Sequence, residues 1–525
     1  MKPSTDLFLL IHSLTKSEKG YFKKFAERHK KEGNNYLKLF DAINTQETYD
    51  EAAIEKKFKK EAFIKQLPFY KNYLYNLILK SMVAYYTDNT SAARISELIR
   101  RTEILMTKGM VVQAKKTLKE AKALAEKYEK LFLILEITVL EKLLNQKVEP
   151  VFLNVVKKNF AIYDEQEKVL EKVKLMFANS NQYAKMYAYA FCNTKEVPAQ
   201  YKVTEAMANA IVEKMEGDIS NPHHSFESRR LLYAVTSLFY SASGDKRGKY
   251  NGVMKKLISH YDGNPDQLQE RAGNYIDQLF NYTQSALVSG NIKDFKEARA
   301  KVLSLQELPQ IANNEFQKLK PPVIVIHSNL HYYFLTCQFE RVTEAINELN
   351  RGRIMEKIGP ESDQLYGNYF YFIRTQIYFY VGCLLFYTGD YLKALKWLSP
   401  IWNNKDDKAL TSEVYLSTII SIICHYEMDN ITSMKYLINT VTKSVNRMAK
   451  YEDSEKVFCN YMVQLGACKT SAGKMELFKK MKAALAPYHT VLKEFDTFNL
   501  LLWIESKIQG KSAASVLKEH MKVQE

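Results

Sequence analysis

The sequence predicts an all-α protein, built of stacked helical hairpins and preceded by a separate small helical domain. Three observations predict it. The 525 residues include only 18 Gly and 12 Pro, too little punctuation for a loop-rich all-β fold or a disordered chain. Hydrophobic residues make up 46% and charged residues 26%, enough apolar material to bury a chain too long for one ordinary core. From residue 94 onward helical patterns follow one another, and their short breaks rhyme, as the breaks of an internal repeat do.

The N-terminal domain is expected over residues 1–88, with helices near 5–14, 16–31, 35–44, 49–61 and 67–87. Thr15 is followed three residues later by Glu18, and Thr48 by Glu51. At a helix start that spacing lets a threonine and a glutamate satisfy each other's backbone N–H groups. Gly33-Asn34-Asn35 marks a break, and "TDNTSAA" (87–93) a junction. The stretch "FIKQLPFYKNYLYNLILKSM" (63–82) mixes aromatics with polar and basic residues. On a helix starting near Pro68, Asn72, Asn76 and Lys80 make one narrow polar stripe. Tyr70, Tyr73, Leu74, Leu77, Ile78 and Ser81 then form a buried spine.

The clearest repeat unit is "IYFYVGCLLFYTGDYLKALKWLSPIW" (377–402). Tyr378, Val381, Gly382 and Leu385 lie on a first helix, Gly389-Asp390-Tyr391 forms the turn, and Ala394, Leu398 and Ile401 lie on a second helix. The unit resembles a tetratricopeptide repeat, whose small residues let two helices approach to about 8–10 Å. Pro400 departs from the pattern and should shorten or bend the second helix. Weaker units share the spacing: Gly109, Ala114, Leu118 and Ala121, with Arg101 at the small-residue place; Tyr233, Ser237, Tyr240 and Gly244, before an insertion in "KRGKY"; and Cys337, Val342, Ile346 and Leu349, with Cys337 replacing the turn glycine. Segments 275–305 and 414–445 resemble more degenerate copies. The resemblance covers about 94–145 and 228–450 and implies an α-solenoid over 89–525. Residues 150–225 read as a long helical hairpin without a repeat turn, and 455–525 as a capping region with Leu500, Leu501 and Trp503 on its apolar face.

The resemblance implies a binding role through first-helix side chains: His327, His331 and Phe334 in one unit, Phe379, Cys383 and Phe386 in the next. Tetratricopeptide domains that capture a C-terminal carboxylate use lysine and asparagine at such places. Aromatics, cysteine and histidine point instead to an apolar or mixed peptide, or to a groove filled by the chain itself.

Little in the sequence resembles catalysis. His327 and His331 are four apart, but no H-E-x-x-H pattern or third ligand accompanies them, and His223-His224 are adjacent. "SGDKRGKY" and "IQGKSA" lack the glycine that a phosphate loop needs, and no nucleophile elbow is present. No catalytic residue, metal or cofactor is therefore expected. Cys192, Cys337, Cys383, Cys424, Cys459 and Cys468 never pair as C-x-x-C, which suits a reducing, cytoplasmic compartment. The apolar run 377–387 is about half of the roughly 20 residues a membrane span needs.

The net charge of +16 favours anionic partners of any kind. Its densest run, "EKKFKKEAFIK", carries Lys56, Lys57, Lys59, Lys60 and Lys65. Two functional readings follow. The first is a non-catalytic scaffold or adaptor that binds a protein or peptide. The alternative is a regulator whose N-terminal helical domain binds DNA or RNA through those lysines, with the repeats as a sensor.

Overall fold

The computed structural model describes residues 5–28, 35–86, 90–191, 198, 202–243, 247–366, 369–403, 411–442, 452–488 and 498–524. Gly33, Asn34, the junction residues 87–89, Cys192 and Gly244 fall outside them. Every element among the described residues is helical, as the composition predicts. The chain forms two compact units, Met1–Ser285 with Pro309–Glu315, and Ala286–Leu308 with Phe316–Glu525.

The first unit begins with α1 (Asp6–Ser13), α2 (Lys16–Arg28), α3 (Asn35–Asn44), α4 (Glu51–Lys57) and α5 (Leu67–Tyr86). These close a core of their own, with Ile11, Phe22, Phe40, Ile43, Leu74 and Ile78 at its centre. The Thr15–Glu18 cap forms as its spacing predicts: the Thr15 N–H donates to Glu18 (2.5 Å) and the Glu18 N–H to Thr15 Oγ1 (3.3 Å). Glu18 is also buried and accepts the Tyr86 hydroxyl, tying the start of α2 to the end of α5. Three expectations need correction. Asp50, not Thr48, caps α4 by accepting the Ala53 N–H (3.0 Å), while Glu51 takes the Tyr49 hydroxyl and the Lys71 amine. That helix ends at Lys57 rather than near 61, because Phe58 and Phe63 both turn into the core, which one continuous helix could not arrange. Tyr73 is exposed and stacks on Tyr36, whereas the Asn72, Asn76 and Lys80 stripe faces solvent as predicted.

The unit continues with α6 (Ser91–Thr107), α7 (Val111–Lys127), α8 (Leu131–Val148), the 40-residue α9 (Phe152–Phe191), α10 (Glu205–Asp218), α11 (Phe226–Ala242), α12 (Arg247–Asp262), α13 (Pro265–Glu270) and α14 (Ala272–Val288). Helices α6 to α9 pack each on the next, and α9 also runs along α11. The second unit holds α15 (Ile292–Ser304), most of α17 (Glu315–Leu335), α18 (Val342–Arg351), α19 (Ile354–Lys357), α20 (Pro360–Tyr366), α21 (Tyr369–Thr388), α22 (Tyr391–Trp402), α23 (Thr411–Glu427), α24 (Ile431–Thr442), α25 (Glu452–Ala467), α26 (Ser471–Leu485), α27 (Leu500–Gln509) and α28 (Ala513–Gln524). The short α16 (Pro309–Ala312) belongs to the first unit. From α21 to α28 each helix packs on its successor.

The rhyme in the sequence is a rhyme in the backbone. Gly109, Glu129, Gly290, Cys337, Gly389 and Asp429 all have φ between +47° and +84°. After each, the next N–H reaches the carbonyl five residues back: Met110 to Leu105, Lys130 to Ala125, Asn291 to Ala286, Gln338 to Tyr333, Asp390 to Leu385 and Asn430 to His425. This left-handed closure satisfies the last carbonyls of one helix and starts the next. At three turns the following residue, Asn291, Asp390 or Asn430, also caps the new helix with its side chain. Cys337 thus holds the turn glycine's conformation, at about 1 kcal/mol for a residue with a Cβ.

Seven residues before the turn comes the close approach. A Cβ on Gly382 would lie 2.5 Å from Leu398 of the paired helix. Thr102 and Thr283 hold the equivalent places before Gly109 and Gly290, both buried. Arg101, placed there by the sequence, is instead exposed and pairs with Glu97. α22 runs through Pro400 to Trp402, and the Lys396 carbonyl, which Pro400 cannot serve, accepts the Ser399 hydroxyl (3.2 Å).

Gly382→Ala should lower unfolding free energy by about 1–3 kcal/mol, because the methyl group must push Leu398 aside. Gly20→Ala in α2, where nothing lies within 4 Å, should raise it by about 0.5–1 kcal/mol. Urea unfolding of both variants checks the pair, and equal effects of either sign would refute the packing argument.

Candidate interaction surface

The six first-helix residues proposed from the sequence lie in the interior of the second unit. His327, His331, Phe334, Phe379, Cys383 and Phe386 are each at most 5% exposed. His327 Nε2 donates to the Gln376 side-chain carbonyl (2.7 Å), and His331 stacks on Tyr380 (5.0 Å between ring centres), so α17 lies against α21. Phe334 meets Tyr387, and Phe386 meets Phe498 edge-on at 5.5 Å. The Lys518 amine sits over the Phe339 ring. These places are therefore filled by neighbouring hairpins and by the C-terminal segment rather than open as a groove. The cause is α21, which is apolar nearly all round and is stable only when covered on every side.

Burial also sets the ionisation of these groups. It pulls His327 down to about 4, with the Gln376 hydrogen bond opposing, and pulls His331 down to about 3, with His327 adding to the effect. It raises the Cys383 thiol well above its usual value, the nearby Cys424 adding to this. A protonated thiol in an apolar interior suits packing better than nucleophilic attack, and the two imidazoles are packed against Gln376 and Tyr380. Among the described residues no group of three or more His, Cys, Asp or Glu side chains is placed to hold a metal ion.

The lysines Lys56, Lys57, Lys59, Lys60 and Lys65 do reach the surface. All five are exposed, and none forms an ion pair among the described residues. They sit on the last turn of α4, the bend after it and a short 3-10 turn at Ala62–Gln66, so they do not share one helical face. Exposed Phe69 follows Lys65 by four residues.

The surface that the sequence reading missed is on α8 and α9. These helices run antiparallel, joined side by side by Gln166 to Thr138 (2.8 Å), Lys142 to Gln166 (3.2 Å) and Asn145 to Asn159 (3.3 Å). Their inner faces are spent on the core: Ile134, Ile137, Leu144 and Val169 are buried there. Their outer faces set large apolar residues among charged ones. Phe132, Val139 and Leu143 of α8, with Phe160, Tyr163, Leu170 and Phe177 of α9, are each 44–64% exposed. Phe132 and Phe177 touch across the seam at 6.2 Å, Phe160 neighbours Tyr163, and the Lys142 amine lies 4.5 Å above the Tyr163 ring.

Spacing explains the alignment. Tyr163, Leu170 and Phe177 recur every seven residues, which keeps them on one slowly drifting stripe of α9. That period is present in "YDEQEKVLEKVKLMF" but is obscured by interleaved Lys and Glu, and the buried set at 162 and 169 has the same period. Only the fold tells which of the two stripes faces inward. A row of seven large apolar side chains exceeds the scatter of single exposed residues that any surface carries.

No family model, curated protein or solved structure matches this chain. No helix among the described residues is long and apolar enough to cross a membrane.

The two buried histidines should make the second unit acid-labile. Their folded values lie below the unfolded one, near 6.5, so the unfolded chain binds more protons in between. Stability is then fully present above pH 6.5 and falls as the pH drops toward 4. At pH 5 each histidine should cost roughly 2 kcal/mol. Urea unfolding from pH 7 to 4.5 should show the loss, and His327→Gln/His331→Phe should flatten it. An equally steep decline in that variant would contradict the assignment.

Proposed function

We propose that this chain is a non-catalytic protein-binding scaffold, built of tetratricopeptide-like hairpins, that engages its partner through the outer face of α8 and α9. The observation that carries the reading is the exposed row Phe132, Val139, Leu143, Phe160, Tyr163, Leu170 and Phe177. Two helices with an apolar seam between them offer a shallow trough, into which an amphipathic helix could lay residues spaced three, four and seven apart. Aromatic side chains of this size dominate interface energies. The repeated left-handed turns support kinship with the tetratricopeptide repeats. Cysteines outside any disulfide at Cys337, Cys383, Cys424, Cys459 and Cys468 suit a reducing compartment and support a cytoplasmic reading.

Affinity capture with the wild type and with Leu170→Asp/Phe177→Asp, compared by quantitative mass spectrometry, tests the reading. Polypeptides enriched by the wild type should fall at least about tenfold with the variant, since each buried aromatic anchor contributes about 2 kcal/mol or more. Equal recovery by a folded variant would overturn it.

A second reading has its own observation: the five exposed lysines of the N-terminal domain, unpaired among the described residues and adjoining exposed Phe69. Cations beside an exposed aromatic ring suit a single-stranded nucleic acid. Electrophoretic mobility of a labelled oligonucleotide should be retarded by the wild type and less so by Lys56→Ala/Lys57→Ala/Lys59→Ala/Lys60→Ala. The salt slope should fall by about 0.7 for each phosphate that the variant no longer neutralises. Identical binding by both proteins retires this reading.

A further inference from the structure

The charges on the α8–α9 face are arranged about a centre. Phe132 stands seven residues before Val139, and Phe177 seven after Leu170; because the helices are antiparallel, these two phenylalanines meet at one end of the seam. Leu170 therefore lies about 10 Å from that end, at the middle of the α9 row. Tyr163, seven before Leu170, lies about 10 Å to the other side. On α9 the exposed Glu167 is three residues before Leu170 and the exposed Lys174 four after it. The central apolar residue of α9 thus has an acid on one side and a base one residue farther away on the other, both on the same flank.

That pattern is complementary to itself. We propose that the partner of this face is a second copy of the same chain, an inference that rests on the protein-binding reading above. A two-fold axis lying in the face, across α9 at Leu170, sets α9 antiparallel to α9 of the other copy. Leu170 then meets Leu170, Phe177 meets Tyr163, and Glu167 of each copy meets Lys174 of the other. Each pair away from the axis occurs twice, as an isologous interface requires. A parallel overlay in the same register sets Glu against Glu and Lys against Lys, so the charges also select the orientation. Lys174 approaches Glu171 of its own helix only at 3.5 Å and stays largely exposed, and such an exposed pair on one helix is too weak to withhold it.

Sedimentation equilibrium of the full chain tests the proposal. The wild type should associate at micromolar concentration to twice its 61.0 kDa mass. Glu167→Lys puts Lys against Lys at two places and should weaken association by about tenfold or more. Lys174→Glu should do the same, and the double variant Glu167→Lys/Lys174→Glu, which restores both pairs in reversed sense, should dimerise again. A wild type that stays monomeric, or a folded double variant that fails to recover, overturns self-pairing. A photo-crosslinking residue in place of Phe177, activated in cells, separates this from failure of the broader reading. An adduct with a second copy of the chain supports the dimer. An adduct with a different polypeptide overturns the dimer and keeps the protein-binding face, and no adduct overturns both.

Discussion

A single left-handed residue closing the first helix of a pair is the constraint on which the clearest hairpins depend. It does two things in the space of one peptide: it satisfies the carbonyls of the finished helix, and it reverses the chain so that the next helix returns alongside. With the reversal fixed, the position seven residues earlier is forced against the partner helix. A Cβ on Gly382 would meet Leu398 there, and buried Thr102 holds the same place before Gly109. Where the turn is glycine it forms without cost. Where it is Glu129, Cys337 or Asp429, packing on either side has to hold a conformation that the residue disfavours.

The same geometry explains why the second unit hides its polar residues. Its first helices are pressed between neighbours, so α21 can be apolar on every side, and His327 and His331 remain neutral beside it. The Phe498 ring and the Lys518 amine complete that enclosure from the C-terminal side. The α8–α9 pair differs. It covers one face with the core of α6 and α7 and leaves the other, set with large apolar residues, outside. An apolar face in water is unfavourable in the isolated chain, and its balanced charges limit which partners can cover it.

Much of the fold is legible in the sequence because it depends on local chemistry. The Thr15–Glu18 cap, the Gly389-Asp390 turn and the Asn72, Asn76, Lys80 stripe each need only residues within one or two turns of each other. Errors arise where two local solutions compete. Asp50 outbids Thr48 as a cap because Glu51 is drawn to Lys71 of another helix, and the register of α6 differs by one residue, exchanging Arg101 for Thr102. The six groove residues lie on first helices, yet their exposure depends on how closely the next hairpin stacks, which no spacing in the sequence encodes.

By itself the sequence determined the all-helical class, the hairpin turns and the absence of a recognisable catalytic pattern, because propensity, capping and turn chemistry act over a few residues. Only the tertiary structure decided which apolar stripes are core. Residues 162 and 169 and residues 163 and 170 carry the same period on α9, and one pair is buried while the other faces water. Burial is a property of what packs on a helix, not of the helix, so the interaction surface could be found only after the chain had been folded.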